Sequence, residues 1–190
     1  MKVILASSSP RRQELMARIT PEFTVCAADV DEAAVVPATP FGSPALLAQR
    51  LAEAKCRAVA HAHPEAAVIG CDTIVDVDGA VFGKPRDRDD ARRMLRALSG
   101  RAHLVHTGVF VCAAGRGTGF ADTTRVHFAP LSDAEIEAYA ATGDPDDKAG
   151  AYGIQSGAAK FVTGIEGCFF NVMGLPVARL YAALRDCGVL

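Results

Sequence analysis

Residues 7–12 read Ser-Ser-Ser-Pro-Arg-Arg. They follow the apolar run Val3-Ile4-Leu5-Ala6 and precede a helical pattern from Glu14 to Ile19. Strand, turn and helix in that order gather hydroxyls and two guanidiniums at a helix N-terminus. Ser9 suits the N-cap and Pro10 the first helical position, where no N–H is needed. The open backbone N–H groups of such a corner, together with Ser9, Arg11 and Arg12, suit an anion and phosphate in particular. A capped helix carrying two solvated arginines is the plainer alternative, and this stretch alone does not separate the two. Asp72 is the sharpest single residue. It follows Ala66-Ala67-Val68-Ile69-Gly70-Cys71, the continuous apolar run of a buried strand. A carboxylate there costs several kcal/mol unless it is paired or used. Ligands bind at the carboxyl ends of strands in α/β sheets, so Asp72 is a candidate for catalysis or metal binding. Capping a turn with Thr73 is the simpler role.

Two further stretches carry polar equipment. Gly79-Ala80-Val81-Phe82-Gly83-Lys84-Pro85 looks like a P-loop at first sight. It is one residue short, and Pro85 stands where a Mg²⁺-binding hydroxyl is required, so that reading is rejected. Lys84 remains a candidate phosphate contact from a constrained turn, with a solvated lysine as the alternative. Residues 144–155 read Asp-Pro-Asp-Asp-Lys-Ala-Gly-Ala-Tyr-Gly-Ile-Gln. One loop thus holds three acids, Lys148, two glycines and a carboxamide. Gln155 offers one acceptor and two donors, enough to read the edge of a base. Gly150 and Gly153 permit close approach of the backbone to a ligand. The apolar Ala149, Ala151 and Ile154 argue against a fully exposed loop. The histidines show no metal spacing, and His103 and His106 fall on strand faces.

These groups need elements to hold them. Phe23 to Cys26 reads as a second strand, and a proline-rich loop runs from Asp29 to about Pro44. Ser43 caps a helix of roughly Ala45 to His61, with Leu46, Leu47, Leu51, Ala54 and Ala58 on its apolar stripe. Asp76-Val77-Asp78-Gly79 is a hairpin turn between the strand of Asp72 and Ala80-Val81-Phe82. An amphipathic helix follows at about Asp89 to Leu98. His103–Ala113 and Gly119–Phe128 form a hairpin, with Gly115 to Thr118 as its turn. Ser132 with Glu135 is a capping box. Phe161-Val162 and Phe169-Phe170-Asn171-Val172 are short strand candidates, and a last helix follows Pro176. Helices and strands alternate early and a hairpin interrupts them later. The fold class is therefore α/β, with a mixed twisted sheet flanked by helices. No repeat or linker is visible, so residues 1–190 read as a single domain, while two small lobes also fit the length.

Composition narrows the partners. Half of the 190 residues are hydrophobic and 22% are charged, which is globular and not disordered. A net charge of -2 argues against a broad nucleic-acid surface but is compatible with a local phosphate site. The six cysteines are scattered, with no C-x-x-C pair, as expected of reduced core thiols in the cytoplasm. Val3 to Ala6 is too short for a signal-peptide core. The longest uncharged stretch, Ala33 to Gln49, is broken by Pro37, Pro40 and Pro44, so no membrane span is expected.

Five motifs stand in a telling order: Ser7 to Arg12, Gly70-Cys71-Asp72-Thr73, Gly83-Lys84-Pro85, Asp147 to Gln155, and Asn171-Val172-Met173-Gly174-Leu175-Pro176. In that order they resemble the Maf-type nucleoside triphosphate pyrophosphatases, once called septum formation inhibitors. The similarity runs over nearly the whole chain. The Asp-Lys-Ala-Gly-x-Tyr-Gly-Ile-Gln loop resembles the branch acting on dTTP and UTP, whereas a sister branch preferring 7-methyl-GTP differs here. The resemblance implies a Maf/ITPase-like fold with two lobes about a central cleft, and a homodimer. It implies Asp72 as proton acceptor, with Arg11 or Arg12, Thr73 and Gln155 shaping substrate selection. It also places an acidic residue at Glu32 and basic ones at Lys55 and Lys84. One departure is Ser156, where the family usually has Gly; a backbone with φ > 0 there would be strained.

The implied reaction is hydrolysis of a nucleoside triphosphate. The phosphates lie against Arg11, Arg12, Lys55 and Lys84, and Ser9 and Lys148 join the substrate-binding residues. Mg²⁺ or Mn²⁺ bridges them to Glu32 and Asp72. Asp72, as base, metal ligand or both, serves a water that attacks the α-phosphorus in line, and pyrophosphate leaves. The rival from another class is a non-catalytic regulator of cell division that binds nucleotide or protein. A kinase-like phosphoryl transferase is disfavoured, because no true P-loop is present.

Overall fold

Val3–Leu5 forms β1, and its three apolar residues are all buried. It pairs in parallel with β2 (Thr24–Val25) on one side and β3 (Ala67–Val77) on the other, Ile4 standing opposite both Thr24 and Val68. Parallel pairing needs crossovers, and helices supply them. α1 (Pro10–Ala17) joins β1 to β2, while α2 (Glu32–Val35) and α3 (Pro44–Ala62) precede β3. This computed structural model describes residues 1–36 and 43–190, so the centre of the expected proline-rich loop lies outside the described residues. β3 turns back into β4 (Ala80–Phe82) through Asp78 and Gly79, whose φ values are 52° and 86°. Two left-handed residues match the right-handed twist of the flanking strands, which is why Asp-Gly serves here.

The second half is antiparallel at its edge. α4 (Arg88–Leu98) leads to a long hairpin, β5 (Ala102–Ala113) and β6 (Arg116–Phe128). Its turn is only Ala114-Gly115, at φ 49° and 73°. Arg116-Gly117-Thr118, expected in that turn, therefore belongs to β6. α5 (Asp133–Ala140) opens on the expected capping box, with Ser132 Oγ accepting from the Glu135 N–H and Glu135 accepting in return. Two 3₁₀ turns follow, then β7 (Val162–Glu166) antiparallel to β6, α6 (Phe169–Met173) and α7 (Val177–Asp186). The seven-stranded mixed sheet runs β2-β1-β3-β5-β6-β7, with β4 on β3. The α/β class with a mixed sheet flanked by helices is as expected. Among the described residues no helix is long and apolar enough to cross a membrane.

The chain divides into two compact units that share it piecewise. The first takes Met1–Asp72, Thr107–Asp122 and Gly174–Leu190; the second takes Thr73–His106 and Thr123–Met173. In the first, Ile4, Ala6, Ala52, Cys56, Val59, Val68 and Phe110 form a buried cluster. The buried face of α3 is Ala48, Leu51, Ala52, Cys56 and Val59, so of the expected stripe Leu51 is buried, while Leu46, Leu47, Ala54 and Ala58 are not. Two glycines explain it. A Cβ on Gly70 would stand 2.1 Å from the Ala52 carbonyl oxygen, and one on Gly108 would stand 2.2 Å from that of Ala48. At Ala48 and Ala52 the helix lies so close to the strands that only small residues fit beneath it.

In the second unit, the buried His103 ring meets Phe128 and Tyr152 edge to face, at 5.2 and 5.4 Å between centroids. Its Nε2 lies 2.8 Å from the Tyr152 hydroxyl. Phe169 to Val172, expected as a strand, is helix α6. Buried Asn171 pins it by donating to the Val105 carbonyl and to Thr124 Oγ1, and these contacts override the β preference of Phe-Phe-Asn-Val.

Candidate active site

The corner after β1 is built by hydrogen bonds to a buried serine. Ser7 Oγ accepts from the Ser9 N–H at 3.3 Å and from Arg12 Nη1 at 3.2 Å. Arg12 Nε donates to the Gly174 carbonyl at 2.9 Å. The guanidinium is thus held by two groups 167 residues apart in sequence, Ser7 and Gly174, and Arg11 beside it is half-buried. Ser9 occupies the N-cap and Pro10 opens α1 as expected, but the Ser9 side chain makes no capping bond. Its hydroxyl therefore stands apart from the helix's own hydrogen bonding.

Asp72 ends the part of β3 that belongs to this unit, and it is 8% exposed. Lys55 reaches it from α3, with Nζ 2.5 Å from Asp72 Oδ1 and 2.7 Å from Glu32 Oε1 on α2. Burial pushes the Asp72 carboxyl up, the charges of Lys55 and Arg12 pull it back, and it remains above the ordinary carboxylate value. For Lys55, burial works against the charge, but the attraction and hydrogen bonds of Asp72 and Glu32 outweigh it and raise its pKa. Two cations and two carboxylates therefore meet at one place.

Glu32 and Asp72 converge on a single point, the Lys55 ammonium. Such a pair of hard oxygen donors fits Mg²⁺, which takes one or two carboxylates together with substrate phosphates. Among the described residues no three His, Cys, Asp or Glu side chains gather into a cage, so phosphates and water would complete the shell.

The remaining candidates belong to the second unit. Thr73 follows Asp72 in β3 and is half-buried. Lys84 is exposed in the Gly83-Lys84-Pro85 bend, and the Gly83 carbonyl accepts from the Gly150 N–H at 3.0 Å. That bond joins the bend to the 144–155 loop. Gly150 has φ 70°, and a Cβ there would lie 2.7 Å from a Val75 methyl, so both conformation and space require glycine. Lys148 is buried and turned into its own loop, donating to the Asp144 carbonyl at 2.6 Å, Asp144 Oδ1 at 3.0 Å and Asp147 Oδ1 at 2.9 Å. Gln155 is exposed between buried Ile154 and half-buried Ser156. Ser156 has φ -122°, outside the left-handed region, so its departure from glycine brings none of the strain that a positive φ would impose.

The first unit thus gathers Ser9, Arg11, Arg12, Glu32, Lys55 and Asp72, and the second holds Thr73, Lys84, Lys148 and Gln155. Three supporting groups escaped the sequence reading. Ser7 was masked by its two serine neighbours, and only its burial distinguishes it. The Gly174 carbonyl carries no side-chain signal at all. Asp144 was one acid among three.

Comparison with known proteins bears on this arrangement. The family model described as Maf-like protein matches residues 2–187. A protein of Koribacter versatilis (strain Ellin345), named dTTP/UTP pyrophosphatase, is 50% identical over 190 residues, spanning 100% of this chain and 96% of that protein. One of the same name from Carboxydothermus hydrogenoformans (strain ATCC BAA-161 / DSM 6008 / Z-2901) is 47% identical, over 99% of this chain and 100% of its own. A third, from Bacillus velezensis (strain DSM 23117 / BGSC 10A6 / LMG 26770 / FZB42), is 44% identical over 99% of this chain and 97% of its own.

Proposed function

The chain belongs to the Maf family, and on that premise we propose that it is a nucleoside triphosphate pyrophosphatase cleaving dTTP and UTP to the monophosphate and pyrophosphate. The observation behind this is buried Asp72, held by Lys55 and set beside Arg12 and Glu32. Asp72 takes the proton of the water that attacks the α-phosphorus. A carboxylate whose proton affinity is raised by burial suits this better than an exposed one. Lys55, bonded to Asp72 Oδ1, orients the carboxylate and balances its charge. Arg12, anchored at Ser7 and Gly174, offers its guanidinium to phosphate oxygens without first having to be ordered. Arg11 and the Ser9 hydroxyl bind the same anion, and Lys84 serves as a phosphate contact acting as a point charge. A divalent cation, Mg²⁺ or Mn²⁺, would be held by Glu32 and Asp72 and, when bound, would neutralise phosphate charge. Thr73 and Gln155 select the substrate. The Gln155 carboxamide matches the acceptor and donor of a uracil or thymine edge and mismatches cytosine. Lys148 acts through the loop it ties together. A cytoplasmic homodimer accompanies this reading.

The test is pyrophosphate release by purified protein with dTTP, UTP, CTP and ATP, with and without EDTA. UTP and dTTP should be cleaved well ahead of the other two, with activity lost in EDTA and restored by Mg²⁺ or Mn²⁺. A well-folded protein that releases no pyrophosphate from any of the four would overturn the assignment. Full activity in chelator after dialysis would remove the metal from it.

A further inference from the structure

Gln155 is an exposed side chain on a backbone pinned from both sides. Gly153 before it is buried, and its N–H donates to the Tyr139 hydroxyl at 3.1 Å. Ser156 after it returns to Gly153, its N–H donating to the Gly153 carbonyl at 3.2 Å. The Ser156 hydroxyl lies 2.8 Å from Asp144 Oδ2 and 3.2 Å from the Gly153 carbonyl. It has one proton, and the shorter, charge-assisted bond to Asp144 is the stronger of the two. Asp144 is the hub: Oδ2 also accepts from Tyr139 Oη at 2.6 Å, and Oδ1 accepts from Lys148. Space is equally constrained. A Cβ on Gly153 would come within 2.2 Å of Ser156 Oγ and 2.7 Å of the Lys148 stem.

We propose that Ser156 is a positioning residue for base selection, its hydroxyl fixing through Asp144 the backbone from which Gln155 presents its carboxamide. This rests on the reading of Gln155 as the group that meets the base. A two-point hydrogen bond discriminates only if both donor and acceptor are already placed; a loose carboxamide can turn to suit the wrong edge. The Ser156 hydroxyl touches no substrate. It lowers the ordering that binding of the correct base requires, and its effect falls on KM for that base.

The experiment measures kcat and KM for UTP and CTP on wild type, Ser156→Ala, Ser156→Thr, Gln155→Ala and the Ser156→Ala/Gln155→Ala double variant. Ser156→Ala is expected to lose about tenfold of the UTP-over-CTP ratio in kcat/KM, through a raised KM for UTP, as for one bond to a charged acceptor. Ser156→Thr keeps the hydroxyl and should restore the ratio, and the double variant should discriminate no worse than Gln155→Ala. Amide hydrogen exchange over residues 154–157 should quicken in Ser156→Ala. Intact discrimination in Ser156→Ala beside a loss in Gln155→Ala overturns the positioning role and leaves base reading by Gln155 standing. Intact discrimination in Gln155→Ala overturns both. An equal loss for UTP and CTP in Ser156→Ala also overturns it, since damage to the fold is blind to the base.

Discussion

Asp72 can accept a proton only when it is ionised, and its surroundings set where that occurs. Burial raises its pKa above the usual 3.8, against the pull of Lys55 and Arg12. Activity should therefore fall as pH drops through that raised value, with the acid limb of kcat/KM displaced upward from that of an exposed aspartate. Asp72→Asn keeps the volume and removes the base. It should fold, lose roughly 10²-fold or more in turnover, and show no acid limb from this group. A pH series on both proteins checks this, and an unchanged limb in the variant would assign it to another residue. The placement of Asp72 was legible in the sequence, because an acid on a run of buried apolar residues demands an explanation. The partners were less so. Lys55 was recognisable only by resemblance, and the Gly174 carbonyl on Arg12 is a backbone atom that no composition reports.

At the scale of elements, the packing of α3 on the strands makes the sharpest prediction. Gly70→Ala would put a methyl 2.1 Å from the Ala52 carbonyl oxygen and 2.7 Å from the Cys56 nitrogen. Both are backbone atoms, so no side-chain rotation relieves the clash and α3 itself must move. A loss of about 3 kcal/mol, the upper end for overpacking, is expected in urea unfolding. Gly83→Ala is the control, since nothing lies within 4 Å of a Cβ there, and it should stay within about 0.5 kcal/mol. Equal midpoints for the two variants would show that α3 yields freely. The same packing explains what sequence could not tell. The Asp78-Gly79 turn and the Ser132–Glu135 box were legible because their causes lie within four residues. The buried face of α3 was not, because two glycines from different strands decide it. α6 was misjudged for a similar reason, its helix being fixed by bonds from Asn171 to Val105 and Thr124.

At the scale of the molecule, stability should weaken in mild acid. Burial holds the His103 pKa down at about 4, against 6.5 for an exposed histidine. Its Nδ1 has no hydrogen-bond partner among the described residues, so a proton there would be a buried charge without an acceptor. Between those values the unfolded chain binds a proton that the folded chain refuses. The contribution is complete above about pH 6.5 and is lost as pH falls towards 4, with a slope of up to ~1.4 kcal/mol per pH unit. Urea midpoints at pH 7 and pH 5 test this, because most carboxylates are still ionised there. His103→Phe should flatten the difference, and an equal drop in wild type and variant would sink the assignment.

The piecewise sharing of the chain has a consequence for how the protein is born. The backbone passes between the two units after Asp72, His106, Asp122 and Met173. A ribosome delivers residues in sequence order. Ser7, Arg12, Lys55 and Asp72 therefore emerge early and then wait for Gly174–Leu190, which brings the carbonyl for Arg12 and the buried Leu180 and Leu184. The second unit, drawn from Thr73–His106 and Thr123–Met173, has all its residues sooner. The nascent chain thus holds Asp72 and Lys55 long before the last support of Arg12 is made. A message cut short ahead of codon 174 yields a polypeptide with Ser7, Arg12, Lys55 and Asp72 present and their scaffold unfinished.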